Sequence, residues 1–169
     1  DPTLMEALWV TISIAILSSL IAVVLGTLAA IGISDYKKIS KGIVTNITYV
    51  PIMNAEIVTG VSMLLLFIFL RIPRGYFTLL IAHVAFNVPY VIFSVLPRLR
   101  SLDKNLYEAA LDMGATPTYA LRKVLIPELM PGIATGAVMA FTMSFDDFVI
   151  SFFSTQGYVN NLSTYIYSM

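Results

Sequence analysis

The chain has 169 residues, 58% of them hydrophobic and only 12% charged, where a soluble globular domain has about a quarter of its residues charged. This excludes an ordinary soluble domain and points to an integral membrane protein. Ten basic and ten acidic residues cancel, so the charge footprint of a nucleic-acid binder is missing, and with no cysteine and a single histidine, His83, there is no thiolate or histidine-cluster metal site.

Four segments are long and apolar enough to span a bilayer, and in hydrocarbon they must be helices because every backbone polar group needs an internal partner. They run over residues 8–33, 43–70, 77–96 and 129–153. The opening DPTLMEALW is acidic and lacks the basic start of a secretory signal. The second segment is longer than a span needs and is expected to break at Pro51 and Asn54; Asn87 and Pro89 suggest a kink in the third. The fourth carries Gly132, Gly136, Ala140 and Ser144 at intervals of four, a small-residue ridge suited to close helix packing.

Orientation follows from the basic residues. Lys37, Lys38 and Lys41 follow the first span, and Arg98, Arg100, Lys104, Arg122 and Lys123 follow the third. Only Arg71 and Arg74 lie between the second and third. Eight against two places residues 34–42 and 97–127 in the cytoplasm, with 71–76 and 154–161 outside.

The loop between spans three and four has its own plan. Ser101 is expected to cap a helix that continues through Ala109, Ala110 and Leu111. Gly114 is placed to end that helix in a left-handed conformation, and Pro117, after Thr116, to restart one. Pro127 and Pro131 are expected to bracket the entry into span four.

Acidic residues inside spans are costly and usually face a cavity or a partner. Three occur: Glu56, Asp146 and Asp147. They suit a cationic ligand, with Ser144 offering a hydroxyl and Phe145, Phe148, Phe152 and Phe153 available to cover methylene groups. The other readings are interhelical hydrogen bonding, an outer-surface location for Asp146 and Asp147, or neutralisation of the aspartates by Arg71 and Arg74. Asp147 is the expected position of greatest sensitivity. His83 reads as a hydrogen-bonded packing residue. No GxxxxGK[ST] phosphate loop and no catalytic constellation occurs in the sequence, so the chain reads as neither an ATPase nor an enzyme and requires no cofactor.

The stretch EAALDMGATPTYALRKVLIP, residues 108–127, resembles the EAA loop of permease subunits in ATP-binding-cassette importers. Glu108, Ala109, Ala110, Gly114 and Pro127 match in register, while Val124 and Ile126 stand where that pattern has Ile and Leu. The resemblance extends along nearly the whole chain. It implies an all-α transmembrane bundle of the MetI-like, type-1 permease fold, a single domain over residues 1–169 with a coupling loop at 101–127. It also implies a multi-pass place in the bacterial inner membrane. Partners implied are a cytoplasmic ATP-binding subunit dimer, a second permease subunit and an extracytoplasmic substrate-binding protein. Glu108, Ala109, Ala110 and Gly114 would form the surface that docks on the ATPase. The segments NAEIVTGVSMLLLF, FTMSFDDFVISFFSTQG and LSTYIYSM are similar to the spermidine/putrescine branch of this family. Such permeases carry a further helix at each end, so the chain is expected to correspond to part of a subunit. An importer of the same fold for ferric iron, sulfate or another organic cation, an ion-coupled transporter or channel, and a purely structural membrane subunit are the alternatives.

Overall fold

A computed structural model describes residues 2–35, 56–103, 105–155 and 159–168, with Gly42, Asn46, Val50 and Met53 between the first two stretches. Among the described residues all regular structure is helical. The helices are α1 (Pro2–Asp35), α2 (Glu56–Phe69), α3 (Tyr76–Ser101), α4 (Asn105–Asp112), α5 (Pro117–Ala120), α6 (Ile126–Phe145), α7 (Val149–Thr155) and α8 (Leu162–Ser168), with a π turn (Leu121–Leu125) joining α5 to α6. Among the described residues three helical stretches are long and apolar enough to cross a membrane: 2–34, 76–101 and 117–145. The expected break at Pro51 and Asn54 lies outside the described residues.

α1, α3 and α6 pack against one another as a triplet. Small side chains make this possible. On α1 the residues Thr11, Ala15, Ser18, Ala22 and Ala30 recur at helical spacing and are buried. On α6 the expected ridge forms: Gly132, Gly136, Ala140 and Ser144 are all buried. A Cβ at Gly136 would lie 3.2 Å from Val91 Cα, and one at Gly26 only 2.7 Å from Val91 Cβ. Backbones at this distance gain dispersion contacts along their length, which is what holds helices together where lipid is as apolar as leucine. Ala22, Ala30, Val91, Val95, Leu129 and Ala140 belong to the resulting core. A second, separate core joins Phe67 of α2, Ala82 and Phe86 of α3 and Ile150 of α7. Gly60 of α2 seats directly against Phe153 of α7, 3.0 Å from where its Cβ would stand.

The fourth span is not the continuous helix expected from its apolar composition. α6 ends at Phe145, residues 146–148 turn, and α7 begins at Val149. The reason is Asp147, whose carboxylate accepts from the backbone N–H groups of Ile150 (3.2 Å) and Ser151 (2.8 Å) and so replaces carbonyls of the preceding turn. α3 runs without interruption through Pro89 and Pro97 to Ser101. Ser101 therefore closes α3, its hydroxyl donating to Arg98 O at 2.7 Å, rather than capping the loop helix as expected. The cap of α4 is Asp103, whose Oδ1 accepts from Asn105 N at 2.9 Å.

The rest of the loop follows its sequence plan. Gly114 has φ +87°, the left-handed conformation that ends α4. Thr116 caps α5 by accepting from Tyr119 N, with Pro117 in the first turn. Pro127 and Pro131 do not separate the loop from the span, because helical backbone passes through both. The ring of Pro127 would crowd the carbonyl four residues back, at Lys123, and that carbonyl lies in the wide π turn. Arg98 ties the base of the loop together, its Nε donating to Glu128 O at 3.0 Å and its Nη2 lying 3.5 Å from Glu128 Oε2.

The close contact at Gly26 generates a prediction. Gly→Ala inside a helix gains about 0.5–1 kcal/mol of backbone entropy, while overpacking a tight contact costs about 1–3 kcal/mol. Gly26→Ala is expected to lower the thermal midpoint of the detergent-solubilised protein. Gly32→Ala, where a Cβ meets nothing within 4 Å, is expected to leave it unchanged or raise it.

Candidate functional site

The break in the fourth span sits over a buried polar cluster drawn from five helices. Its hub is Ser151, 1% exposed, on the first turn of α7. The Ser151 hydroxyl donates to Asp147 Oδ2 at 3.0 Å. Its oxygen receives Asn161 Nδ2 at 2.7 Å and stands 3.0 Å from His83 Nε2. Because the Ser151 proton is committed to the carboxylate, the neutral imidazole carries its proton on Nε2 and donates. Nδ1 then accepts from Ser144 Oγ at 2.6 Å. Ser144 in turn receives the Ser18 hydroxyl at 3.0 Å, and Ser18 receives Asn87 Nδ2 at 3.3 Å. Donors thus run one way, from Asn87 through α1, α6 and α3 to the Asp147 carboxylate, which lies 3.5 Å from His83 Nε2.

Asn161 closes the far side. It donates to Asp147 O at 3.0 Å and caps α8, its Oδ1 accepting from Thr164 N at 2.9 Å. Thr11 of α1 completes that cap by accepting from Leu162 N at 2.8 Å. A break between helices leaves backbone groups without intrahelical partners; this cluster supplies partners for those that are buried.

The candidate residues from the sequence separate into three places. Ser144 and Asp147 come together in the cluster, both buried, joined through His83. Asp146, one residue away, is exposed at the C-terminal cap of α6, its N–H donating to Thr142 O at 3.2 Å. Glu56 is exposed in the first turn of α2 and has no ion pair or hydrogen bond to a described side chain. Glu108, Ala109 and Gly114 are exposed on the loop, and Ala110 is half-buried. Ala110 and Gly114 line an open cleft of about 520 Å³ with Met113, Ala115, Thr116 and Tyr119. Met113 and Tyr119 hold large apolar surfaces in the open there, 89% and 58% exposed. His83 has the buried, hydrogen-bonded place that its solitary position in an apolar span suggests. Sequence reasoning did not find Ser18, Ser151 and Asn161. The spacing Thr11–Ala15–Ser18–Ala22 on α1 carried the signal for Ser18, but Ser151 and Asn161 gain meaning only once the span breaks.

Beside the ridge of α6 lies another stripe. Thr135, Met139, Thr142 and Asp146 share one helical face and are all exposed. The two threonine hydroxyls donate back to Pro131 O (2.9 Å) and Val138 O (2.8 Å), so each presents only oxygen lone pairs outward. Phe141 and Phe145 stack next to it with ring centroids 6.0 Å apart.

Membrane-length helices closed around a buried polar break, with a folded polar loop between two of them, define a multi-pass helical membrane subunit. The sequence matches the family described as binding-protein-dependent transport system inner membrane component over residues 6–166, and the chain belongs to that family. It is 36% identical over 169 residues to the spermidine/putrescine transport system permease protein PotC of Escherichia coli K12, covering 100% of this chain and 64% of that protein. PotC of Haemophilus influenzae is 36% identical over 153 residues, 90% of this chain and 60% of that protein. The putrescine transport system permease protein PotI of Escherichia coli K12 is 37% identical over 161 residues, 90% of this chain and 57% of that protein. The chain thus spans less than two thirds of the length of these relatives.

The capping role of Asp147 is open to a stability test. Asp147→Ala removes the acceptor for two amides at the start of α7, and loss of such a cap costs about 0.5–2 kcal/mol. The thermal midpoint of the purified protein is expected to fall, and Asp147→Ser, which keeps one acceptor, is expected to recover part of the loss.

Proposed function

We propose that the chain is the pathway-forming part of a permease subunit in an ATP-driven importer of polyamines such as spermidine and putrescine, seated in a bacterial inner membrane. One observation carries the reading: the exposed stripe Thr135–Met139–Thr142–Asp146 is a line of acceptors that runs along a membrane-length helix and ends in a carboxylate at its C-terminal cap. An alkylammonium ion has donors only and matches such a line. Sulfate or phosphate would need donors in the same place. The stacked Phe141 and Phe145 are available to cover methylene groups between ammonium centres. The names of the relatives support the same substrate class.

In this reading Asp146 and Glu56 offer their carboxylates to the substrate, and the second permease subunit closes the other side of the pathway. Ser144 and Asp147 act from behind, because their polar atoms are already engaged in the buried cluster. The burial of Asp147 moves the position of greatest sensitivity to its neighbour. The loop at 101–127 faces the cytoplasm, with Glu108, Ala109, Ala110 and Gly114 docking on one subunit of an ATPase dimer. The uncovered Met113 and Tyr119 support a protein contact at that cleft. The Arg98–Glu128 tie and the helical run from Pro117 to Phe145 make a stiff path from that contact to the stripe. The energy source and the extracytoplasmic binding protein belong to other subunits.

Two experiments test this. In the assembled transporter, Asp146→Asn is expected to lower spermidine or putrescine uptake about tenfold, the scale of one lost charge-assisted hydrogen bond, with assembly and basal ATPase activity retained. Unchanged uptake for Asp146→Asn and Glu56→Gln together would remove the carboxylates from the pathway. For the loop, Glu108→Lys and Gly114→Val are expected to abolish transport-coupled ATP hydrolysis without loss of the membrane subunit. Single cysteines placed over residues 105–120 should cross-link to the ATPase, and failure at every position would refute the docking role.

A further inference from the structure

The two cores meet at the break. α6 is locked to α1 and α3 by its small-residue ridge, while α7 is held mainly by α2 through Gly60 and Phe153. Between the halves of the fourth span the backbone continues only through the turn at residues 146–148. One side chain reaches both halves from a third helix. His83 Nδ1 holds Ser144 in the last turn of α6, and Nε2 holds Ser151 in the first turn of α7. The imidazole is rigid and 1% exposed, and its two nitrogens fix two hydroxyls that the turn alone would leave free to separate. Asp146 hangs on that turn, facing out.

We propose that His83 is a positioning residue for transport: it latches α6 to α7 across the break and so sets the direction in which Asp146 is presented. The geometry supports a latch rather than general packing. The imidazole is the one described side chain bonded to both Ser144 and Ser151, so removing it breaks the side-chain link between the end of α6 and the start of α7, while Thr11 of α1 stays bonded to Leu162 N of α8. α6 packs in the first apolar core and α7 in the second, with α3 contributing to both, and no other described side chain joins Ser144 to Ser151. The transport consequence rests on the reading of Asp146 given above; the geometric consequence does not.

The test uses the assembled transporter in lipid nanodiscs, with spin labels at Val138 on α6 and Phe152 on α7, both exposed. In His83→Phe, which keeps a planar ring and loses both nitrogens, the label–label distance distribution is expected to broaden. The double variant Ser144→Ala/Ser151→Ala should broaden it to the same extent. Combining it with His83→Phe should add nothing further, because all three substitutions open one latch. Apparent KM for polyamine uptake is expected to rise about tenfold, since the charged contact is misdirected, with Vmax per assembled complex little changed. A merely structural role would lower the yield of complex and leave KM alone. A distance distribution identical to wild type in both His83→Phe and the double serine variant overturns the proposal. If His83→Phe fails to assemble, the serine pair decides the matter by itself. If the distances broaden but Asp146→Asn leaves uptake intact, the latch stands and the reading of Asp146 as a substrate contact falls.

Discussion

The backbone at residues 146–148 leaves its helix against a buried cluster of side chains, and each polar group buried there needs a protein partner. Much of the architecture is arranged around that need. Asp147 takes two amides of α7, Asn161 covers the Asp147 carbonyl, and Ser151 receives donors from two directions. An unpaired buried polar group costs about 1–3 kcal/mol, so a break with several of them would not survive without the cluster. The cluster exists only because α1, α3 and α6 approach closely enough for Ser18, His83 and Ser144 to touch. That approach depends in turn on Gly26, Gly132 and Gly136 having no Cβ in the way.

Apolar packing and polar satisfaction therefore act on one another. The ridge on α6 begins as glycine at the loop end and finishes as Ser144 at the break, so one stripe supplies close contact first and a hydroxyl last. Arg98 shows the same economy at the opposite end. Its aliphatic stem covers Gly132, with Cβ 3.1 Å from where a glycine Cβ would stand, while its guanidinium reaches Glu128. That ion pair is about half exposed and contributes little energy. Its value is geometric, since it fixes the angle at which the loop leaves α3 and enters α6.

Long apolar runs and the positions of Gly114 and Pro117 were legible because each depends on local chemistry alone: hydrocarbon requires helices, a left-handed turn favours glycine, and a first turn tolerates proline. The small-residue ridge was legible from spacing. The break was not. Residues 137–153 contain no proline or glycine, and apolar composition cannot distinguish one helix from two. What ends α6 is a contest between the Asp147 carboxylate and a backbone carbonyl, decided by His83 and Asn161, which lie 64 residues before it and 14 after. Ser101 misled for a related reason. Serine is a good cap in general, but α3 had enough apolar and helix-forming sequence to run past Pro97 and claim it. Glu56 and Asp146, expected from the sequence to be costly in lipid, are both exposed on this chain. Their exposed positions reflect surfaces that this chain leaves for something else to cover.

The π turn at Leu121–Leu125 has a consequence of a different kind. A π turn inserts one residue into helical register, which rotates everything before it by roughly 100° relative to everything after it. The loop surface around Met113 and Tyr119 lies on one side of this insertion and the glycine ridge on the other. Their relative orientation is thus set by a single residue count. A lineage that gained or lost one residue there would swing the loop toward a differently shaped partner while leaving every contact of α6 in place. The membrane packing and the partner interface can evolve on separate clocks, with five residues as the gearbox between them.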